Sequence, residues 1–314
     1  MTKPHILQTG SLQAWDEGPL DAAFTVHRLF DAPDRPAFLA RHGPQISAIV
    51  TRGDLGAASA LIAACPNLEL IVVYGVGYDS VDLDACRARG IRVTNTPDVL
   101  TGDCADLAIG MMICLARGMT GAEKFARDGS WLKGGYPLQR RVWGRRAGVL
   151  GLGAIGHAVA TRLQGFGMDI AYSARSAKPV PDSWVYIPDP VALAAHSDFL
   201  FITLAASAAT RHIVNAEVLN ALGADGMLIN ISRAANIDEA GLLDALESRT
   251  IAAAALDVFD GEPNVNPRFL ALGNVLLQPH IASGTVETRK AMGQLMRDNL
   301  TAHFAGQPLL TPVI

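Results

Sequence analysis

No apolar stretch in this sequence approaches the roughly 20 residues that a helix needs to cross a bilayer. The richest run, residues 252–256, is broken within a few positions by a charge. The N-terminus, MTKPHILQTG, lacks the charged start, apolar core and small-residue cleavage site of a secretory signal. A cytoplasmic protein with no membrane partner is therefore expected. Charge is sparse as well: Asp, Glu, Lys and Arg make up 18% of the chain and the formal net charge is -4, which offers no general attraction to nucleic acid. The cysteines, Cys65, Cys86, Cys104 and Cys114, form no C-x-x-C pair and have mainly apolar or small neighbours. They read as buried thiols rather than redox groups or ligands, and no metal is expected. Repeats and low-complexity linkers are absent.

What is present is a hydrophobic content of 50% spread over 314 residues, long for one compact core, so two domains are expected. Short β-rich runs alternate with helical patterns: AIV at 48–50, LIVVYGV at 70–76 and IRVTN at 91–95. Such alternation argues for βαβ units and parallel sheets. Residues 102–117 are almost continuously apolar, which suits a helix buried on most sides, and the Gly-, Trp-, Arg- and Pro-rich stretch 128–144 reads as a connecting loop. A second alternating series then runs through AGVLGLG, MDIAYS, DFLFITL, GMLINIS, IAAAALDVF and NVLLQPH. Over 285–304, Met292, Leu295, Met296 and Leu300 mark a final helix that could return the chain to the first domain.

The run VLGLGAIG sets Gly151, Gly153 and Gly156 at G-x-G-x-x-G spacing between a strand-like run and a helical one. That is the context in which the spacing points to a dinucleotide. Gly151 permits the tight turn, Gly153 the approach of backbone to a pyrophosphate, and Gly156 close helix packing. The first helical amides, around Ala154 and Ile155, supply donors and positive dipole. An NAD site usually ends its second strand with a carboxylate; here that end reads AYSARSAKP, and Asp169 falls at the start of the run. Ser173, Arg175, Ser176 and Lys178 instead offer hydroxyls and positive charge, which suit the 2′-phosphate of NADPH.

Three further residues sit at or just beyond the ends of late β-runs: Arg233 after LINIS, Glu262 after LDVF and His280 after LLQP. In an open parallel sheet those ends converge on the ligand crevice. The set suits reduction of a 2-keto acid. His280 would protonate the developing alkoxide, and Glu262 would fix its tautomer and stabilise the charged ring. Arg233 would bind the carboxylate and polarise the carbonyl. The other histidines lack such companions, and His157, after the third glycine, reads as an ordinary helical residue.

With these residues in place the sequence resembles the D-isomer-specific 2-hydroxyacid dehydrogenase family, and within it the glyoxylate/hydroxypyruvate and hydroxyphenylpyruvate reductases. The resemblance runs from about Ala48 to the C-terminus, through VGYDSVDLDACRARGIRVTNTPDVLTGDCADLAIG, VLGLGAIG, LINISRAANIDE, AALDVFDGEP and QPHIASGTVETRKAM. It implies the same catalytic Arg233, Glu262 and His280. It further implies that Val76 and Gly77 offer amides to the substrate carboxylate, that Thr101 and Asp257 lie by the cofactor, the latter on the carboxamide side, and that Ser283 lies near His280. The implied fold is α/β, with two doubly wound parallel-sheet domains: a Rossmann cofactor domain, 99–286, inserted into a flavodoxin-like substrate domain, 1–98 and 287–314. It also implies an NADPH-preferring reductase, with NAD as the second cofactor, acting on glyoxylate, hydroxypyruvate or aryl pyruvates. A homodimer is implied too, with the 102–117 helix and the 131–143 loop facing the partner.

Two departures stand out. Ala234 follows the catalytic Arg where the family commonly has Gly, so the turn there is expected to differ. The usual Pro-Leu-Thr after the fourth strand is replaced in TLAASAATRHIV, so the nicotinamide-side wall is expected to differ. Because fold does not fix function, a nucleotide-sensing corepressor of the same fold is the alternative, although the Arg, Glu and His set would then be idle.

Overall fold

The computed structural model describes residues 3–314. The chain divides into two compact units, residues 1–100 with 285–314 and residues 101–284, so the second is inserted into the first. Each crossing lies two residues from the expected position. The helix Thr101–Ala116 opens the inserted unit, and Thr285 caps the helix Val286–Phe304, its Oγ1 accepting from the Thr288 amide at 3.1 Å.

In the first unit the strands are β1 (His5–Gln8), β2 (Thr25–Arg28), β3 (Ala48–Arg52), β4 (Leu70–Tyr74) and β5 (Arg92–Thr94). They are parallel, in the order β2-β1-β3-β4-β5, the flavodoxin-like winding. β4 reads LIVVY and is buried at every position, as a strand covered on both faces must be. Leu7, Ile49, Ile71 and Val93, from four neighbouring strands, form one core with Ile46, Ile62, Cys65 and Cys86. Burial pushes the thiols of Cys65 and Cys86 up to about 11 each, so both stay protonated at neutral pH. The final helix buries Met292, Met296 and Leu300. Its Gly293 leaves room for the fully buried Asp16 carboxylate, which Arg297 hydrogen-bonds. Beyond the helix, the Val313 amide donates to the Val93 carbonyl at 2.7 Å and so covers the exposed edge of β5.

The inserted unit carries β6 (Arg146–Leu150), β7 (Asp169–Ser173), β8 (Val185–Tyr186), β9 (Phe199–Ile202), β10 (Met227–Asn230), β11 (Ala253–Leu256) and β12 (Val275–Leu277). All pair in parallel, in the order β12-β11-β10-β9-β6-β7-β8. The order reverses between β6 and β9, and a ligand crevice opens at the carboxyl ends beside such a reversal. Leu150, Leu200, Ile202, Leu228 and Leu256 join Val218, Leu242, Leu246 and Phe269 in its core.

The apolar run at 102–117 forms the helix Thr101–Ala116, which buries Cys104, Ala108, Ile109, Met111 and Met112 and packs against the helix Ala154–Gln164. Among the described residues no single helix is long and apolar enough to cross a membrane, although this one and the following helix Met119–Arg127, bent by 59°, pass that test together. Residues 128–144 are irregular except for the 3-10 turn Ser130–Lys133.

Candidate active site

The dinucleotide turn leaves β6 at Gly151, whose φ of +105° lies in the region that favours glycine. The Gly151 amide donates to the Ser173 carbonyl at 2.9 Å, and Thr203 Oγ1 donates to the Gly151 carbonyl at 2.6 Å. A Cβ on Gly156 would fall 2.1 Å from that same carbonyl oxygen, so only glycine lets the helix Ala154–Gln164 pack this closely. Gly153 is the opposite case. It caps the helix without a side chain, is exposed, and a Cβ built on it meets nothing within 4 Å. The space above it adjoins the helix-opening amides of Ala154, Ile155 and Gly156, which have no acceptor one turn back. An anionic pyrophosphate fits such a cradle.

At the end of β7, Arg175, Ser176 and Lys178 are exposed, and no carboxylate stands among them. Ser173 is different: it is buried, and its Oγ donates to the Pro188 carbonyl at 3.0 Å. Its single proton is thus directed inward, which corrects the expectation that Ser173 donates to the ribose phosphate. Asp169, the first residue of β7, is exposed at the opposite end of the strand. Thr101 is the first residue of its helix, and Arg162 ties that helix end to the dinucleotide helix through the Gly102 carbonyl at 3.3 Å and Asp106 at 2.6 Å.

The charged residues follow the carboxyl ends of β10, β11 and β12, which pair side by side in parallel. His280 Nδ1 lies 2.6 Å from Glu262 Oε1, with both side chains partly exposed. His280 has a φ of +53°, a left-handed conformation that a β-carbon makes costly. The next two residues explain how it is held. The amides of Ile281 and Ala282 each donate, at 2.8 Å, to the two carboxylate oxygens of Asp257, which is fully buried. Burial raises the Asp257 carboxyl above its ordinary range, and those two amides offset the rise only in part. Each Asp257 oxygen thus accepts from one backbone amide. Ser283, half-buried, follows directly.

Arg233 is extended and half-buried three residues beyond the end of β10, its Nη1 donating to the Ser232 carbonyl at 2.9 Å. Asn230 supports it from below, donating to the Arg233 carbonyl at 3.2 Å while accepting from the Ser232 amide and hydroxyl. Asn236 Nδ2 then links Ser232 Oγ at 3.1 Å to the Leu204 carbonyl at 3.0 Å. These supporting asparagines went unread in the sequence, where the polar letters flanking Arg233 in LINISRAANIDE were the signal. Ala234 opens a 3-10 turn and is not among the residues with positive φ, so Ala is accommodated there without strain. The substituted segment 205–210 is closed by Thr210 Oγ1, which accepts from the Ser207 amide and donates to the Ala205 carbonyl, both at 2.9 Å.

In the first unit, Val76 and Gly77 follow β4. Asn95 Nδ2 donates to the Val76 carbonyl at 2.8 Å, and because a trans peptide is planar, the Gly77 amide points away from Asn95. Among the described residues no group of three or more His, Cys, Asp or Glu side chains is placed to hold a metal ion.

Known proteins of one family are similar to this chain. Residues 109–282 match the family model of the D-isomer specific 2-hydroxyacid dehydrogenase, NAD binding domain. The chain is 43% identical over 309 residues to glyoxylate/hydroxypyruvate reductase A HPR2 of Arabidopsis thaliana, covering 98% of each. It is 67% identical to a 2-hydroxyacid dehydrogenase from Ketogulonicigenium vulgare Y25, with a TM-score of 0.94 and coverage of 100% of this chain and 99% of that one. The NADPH-dependent glyoxylate/hydroxypyruvate reductase SmGhrB of Sinorhizobium meliloti, solved with NADP and malonate, is 41% identical with a TM-score of 0.92, covering 99% of this chain and 97% of that one.

Proposed function

Since the chain belongs to the D-isomer specific 2-hydroxyacid dehydrogenase family and is an oxidoreductase, we propose that it reduces small 2-keto acids, glyoxylate and hydroxypyruvate among them, to D-2-hydroxy acids with NADPH in preference to NADH. The observation that carries this reading is the 2.6 Å contact between His280 and Glu262, on a loop beside the strand end that bears Arg233.

The chemistry follows from the side chains. The 151–156 turn would hold a nicotinamide dinucleotide, whose chemistry would be hydride transfer to the carbonyl carbon. Arg233 presents a permanently charged fork to the substrate carboxylate and carbonyl. The amides of Val76 and Gly77 serve the carboxylate. As negative charge builds on the carbonyl oxygen, His280 Nε2 gives up its proton, while Glu262 holds the Nδ1 proton and stabilises the ring in its charged form. Asp257 keeps the His280 loop in register, and Ser283 and Thr101 complete the substrate and cofactor surroundings. Arg175 and Lys178 neutralise the 2′-phosphate, and the Ser176 hydroxyl donates to it.

A second copy of the chain belongs to the same proposal. Trp131, Leu132, Leu138 and Trp143 are 71%, 94%, 101% and 63% exposed. Leu138 and Trp143 also line a groove of about 430 Å³ with Ile113, Val142 and Phe166, edged by the cations Arg117, Arg140 and Arg141. So much uncovered apolar surface suits an interface, and the reading is of a cytoplasmic homodimer without nucleic-acid or membrane partners.

The test is a matrix of glyoxylate, hydroxypyruvate, pyruvate and phenylpyruvate against NADPH and NADH, followed by nicotinamide absorbance, with light scattering for the oligomer. Turnover of glyoxylate and hydroxypyruvate with the lower KM for NADPH is expected. Cofactor binding without turnover of any 2-keto acid would favour the corepressor-like alternative.

A further inference from the structure

The last residue of β3, Arg52, carries a cation that none of the roles above uses. In the parallel register it lies opposite Tyr74, one residue before Gly75 and two before Val76. Its guanidinium is paired side-on with Asp54, Nε to Oδ1 at 3.0 Å and Nη2 to Oδ2 at 2.5 Å, and the two side chains are 38% and 35% exposed. The loop that carries them is tightly held. Thr51 Oγ1 donates to the Gly56 carbonyl at 2.7 Å and accepts from Thr9 Oγ1 at 2.8 Å. Gly56, at a φ of +59°, lies so close to Ser80 that a Cβ would fall 2.0 Å from its carbonyl oxygen. Gly10, after β1, leaves space for Leu55 and for the Arg52 guanidinium, whose Cζ is 3.8 Å from where a Cβ would stand. A Cβ on Gly75 would in turn sit 3.8 Å from the Gly53 amide nitrogen. A fixed, partly exposed ion pair thus lies at one strand end with the peptides assigned above to the substrate carboxylate.

We propose that Arg52 and Asp54 together read the substrate beyond C2, selecting 2-keto acids whose chain carries hydroxyl groups, the sugar-acid class, over alkyl, aryl or second-carboxylate tails. This rests on Val76 and Gly77 binding the carboxylate. The selection follows from the pairing. An unpaired arginine would attract a second carboxylate, but Asp54 cancels that attraction at nearly the same distance. The pair keeps N–H donors on one side and carboxylate lone pairs on the other, and a hydroxyl can accept from the first while donating to the second. A methyl or phenyl group would take water from the same charges and return no hydrogen bond.

The experiment uses the full-length protein with NADPH and compares kcat/KM for hydroxypyruvate against pyruvate, 2-keto-D-gluconate against 2-ketohexanoate, and oxaloacetate against pyruvate. Wild type is expected to favour the hydroxylated member of the first two pairs by about tenfold or more, the scale of one hydrogen bond to a charged group. Arg52→Ala should reduce those ratios by about the same factor. Asp54→Asn, which leaves the cation uncancelled, should raise the oxaloacetate to pyruvate ratio by about tenfold, a gain that a merely structural ion pair does not produce. If wild type reduces glyoxylate and hydroxypyruvate but the ratios stay the same in both variants, or all substrates fall together, the tail-reading role is overturned while the reductase reading stands. If wild type reduces no 2-keto acid, both readings fall.

Discussion

Replacing Glu262 by Gln isolates what the carboxylate does for His280, because shape and hydrogen-bonding reach are kept and only the charge is removed. At 2.6 Å the contact has the length of a charge-assisted bond. An unscreened ion pair at an effective dielectric of about 20 would be worth about 4 kcal/mol, but the side chains are 39% and 28% exposed, so water takes part of that. The scale of a hydrogen bond to a charged group, about 1.5–3 kcal/mol, is the better guide. All of it is felt as the proton leaves for the alkoxide, because an amide can donate back to Nδ1 and hold the ring in the wrong tautomer. The expected loss in kcat is therefore about 10- to 150-fold, smaller than the roughly 10²–10⁴-fold loss from removing the acid altogether in His280→Ala. Steady-state kinetics with glyoxylate, alongside a fluorescence titration of NADPH, checks this, and the cofactor Kd should stay near wild type in both variants. A Glu262→Gln enzyme with undiminished kcat, or one more impaired than His280→Ala, would refute the role given to the carboxylate.

Three other perturbations follow from the geometry. Arg233→Lys should raise KM and lower kcat together, since a point ammonium cannot supply two parallel bonds; full activity in steady-state kinetics would remove the bidentate role. Arg175→Ala should weaken NADPH binding by about 1.5–3 kcal/mol and leave NADH binding nearly unchanged; equal losses for the two cofactors in parallel titrations would mean that the 175–178 segment faces only solvent. Burial works to raise the Asp198 carboxyl, but hydrogen bonds from the Arg146 guanidinium and amide and the charge of Arg146 outweigh it and hold the group below its ordinary range. Its stabilisation is therefore present above the unfolded carboxylate range and lost as pH falls through the folded value. Asp198→Asn should lower stability at pH 7 by about 1 kcal/mol, or about 2–4 °C in Tm, with the gap narrowing as pH falls below the ordinary carboxylate range of about 4; a gap in thermal melts that does not narrow on acidification would contradict the assignment.

Much of the dinucleotide site could be read from letters because its demands are local. The three glycines answer to turn conformation, open space and helix contact within six residues, and each constraint acts on the backbone of its own segment. The strand-end charges were legible for a related reason: parallel βαβ winding brings successive carboxyl ends together, so position after a β-run stands in for position in space. Ser173 escaped that logic. Its hydroxyl is captured by the Pro188 carbonyl, 15 residues on, a contact set by how β7 meets the chain leaving β8. Asp257 escaped it too, since its oxygens are taken by amides 24 and 25 residues later. Asn236, linking Ser232 to the Leu204 carbonyl, depends on the ordered turn of a segment that departs from the family pattern.

The position of Asp257 bears on how His280 is held in a left-handed conformation. A non-glycine residue at φ near +53° costs about 1–2 kcal/mol, and the chain around His280 offers no glycine to absorb it: Pro279 precedes it and Ile281 follows. Two hydrogen bonds to one carboxylate, from the amides immediately after the histidine, are each of a strength that can offset such strain. They act only if Asp257 is kept from water, which would otherwise compete for the same oxygens, and it is fully buried. The backbone bend then turns the imidazole so that Nδ1 meets Glu262 while the residues that follow remain tied to β11. Relaxing His280 to a right-handed or extended conformation would break both amide bonds and leave a buried carboxylate unsatisfied, a larger penalty than the strain itself. The bend at His280, the buried Asp257 and Glu262 are thus one mechanical unit, in which a carboxylate at the end of β11 fixes the backbone that orients the imidazole.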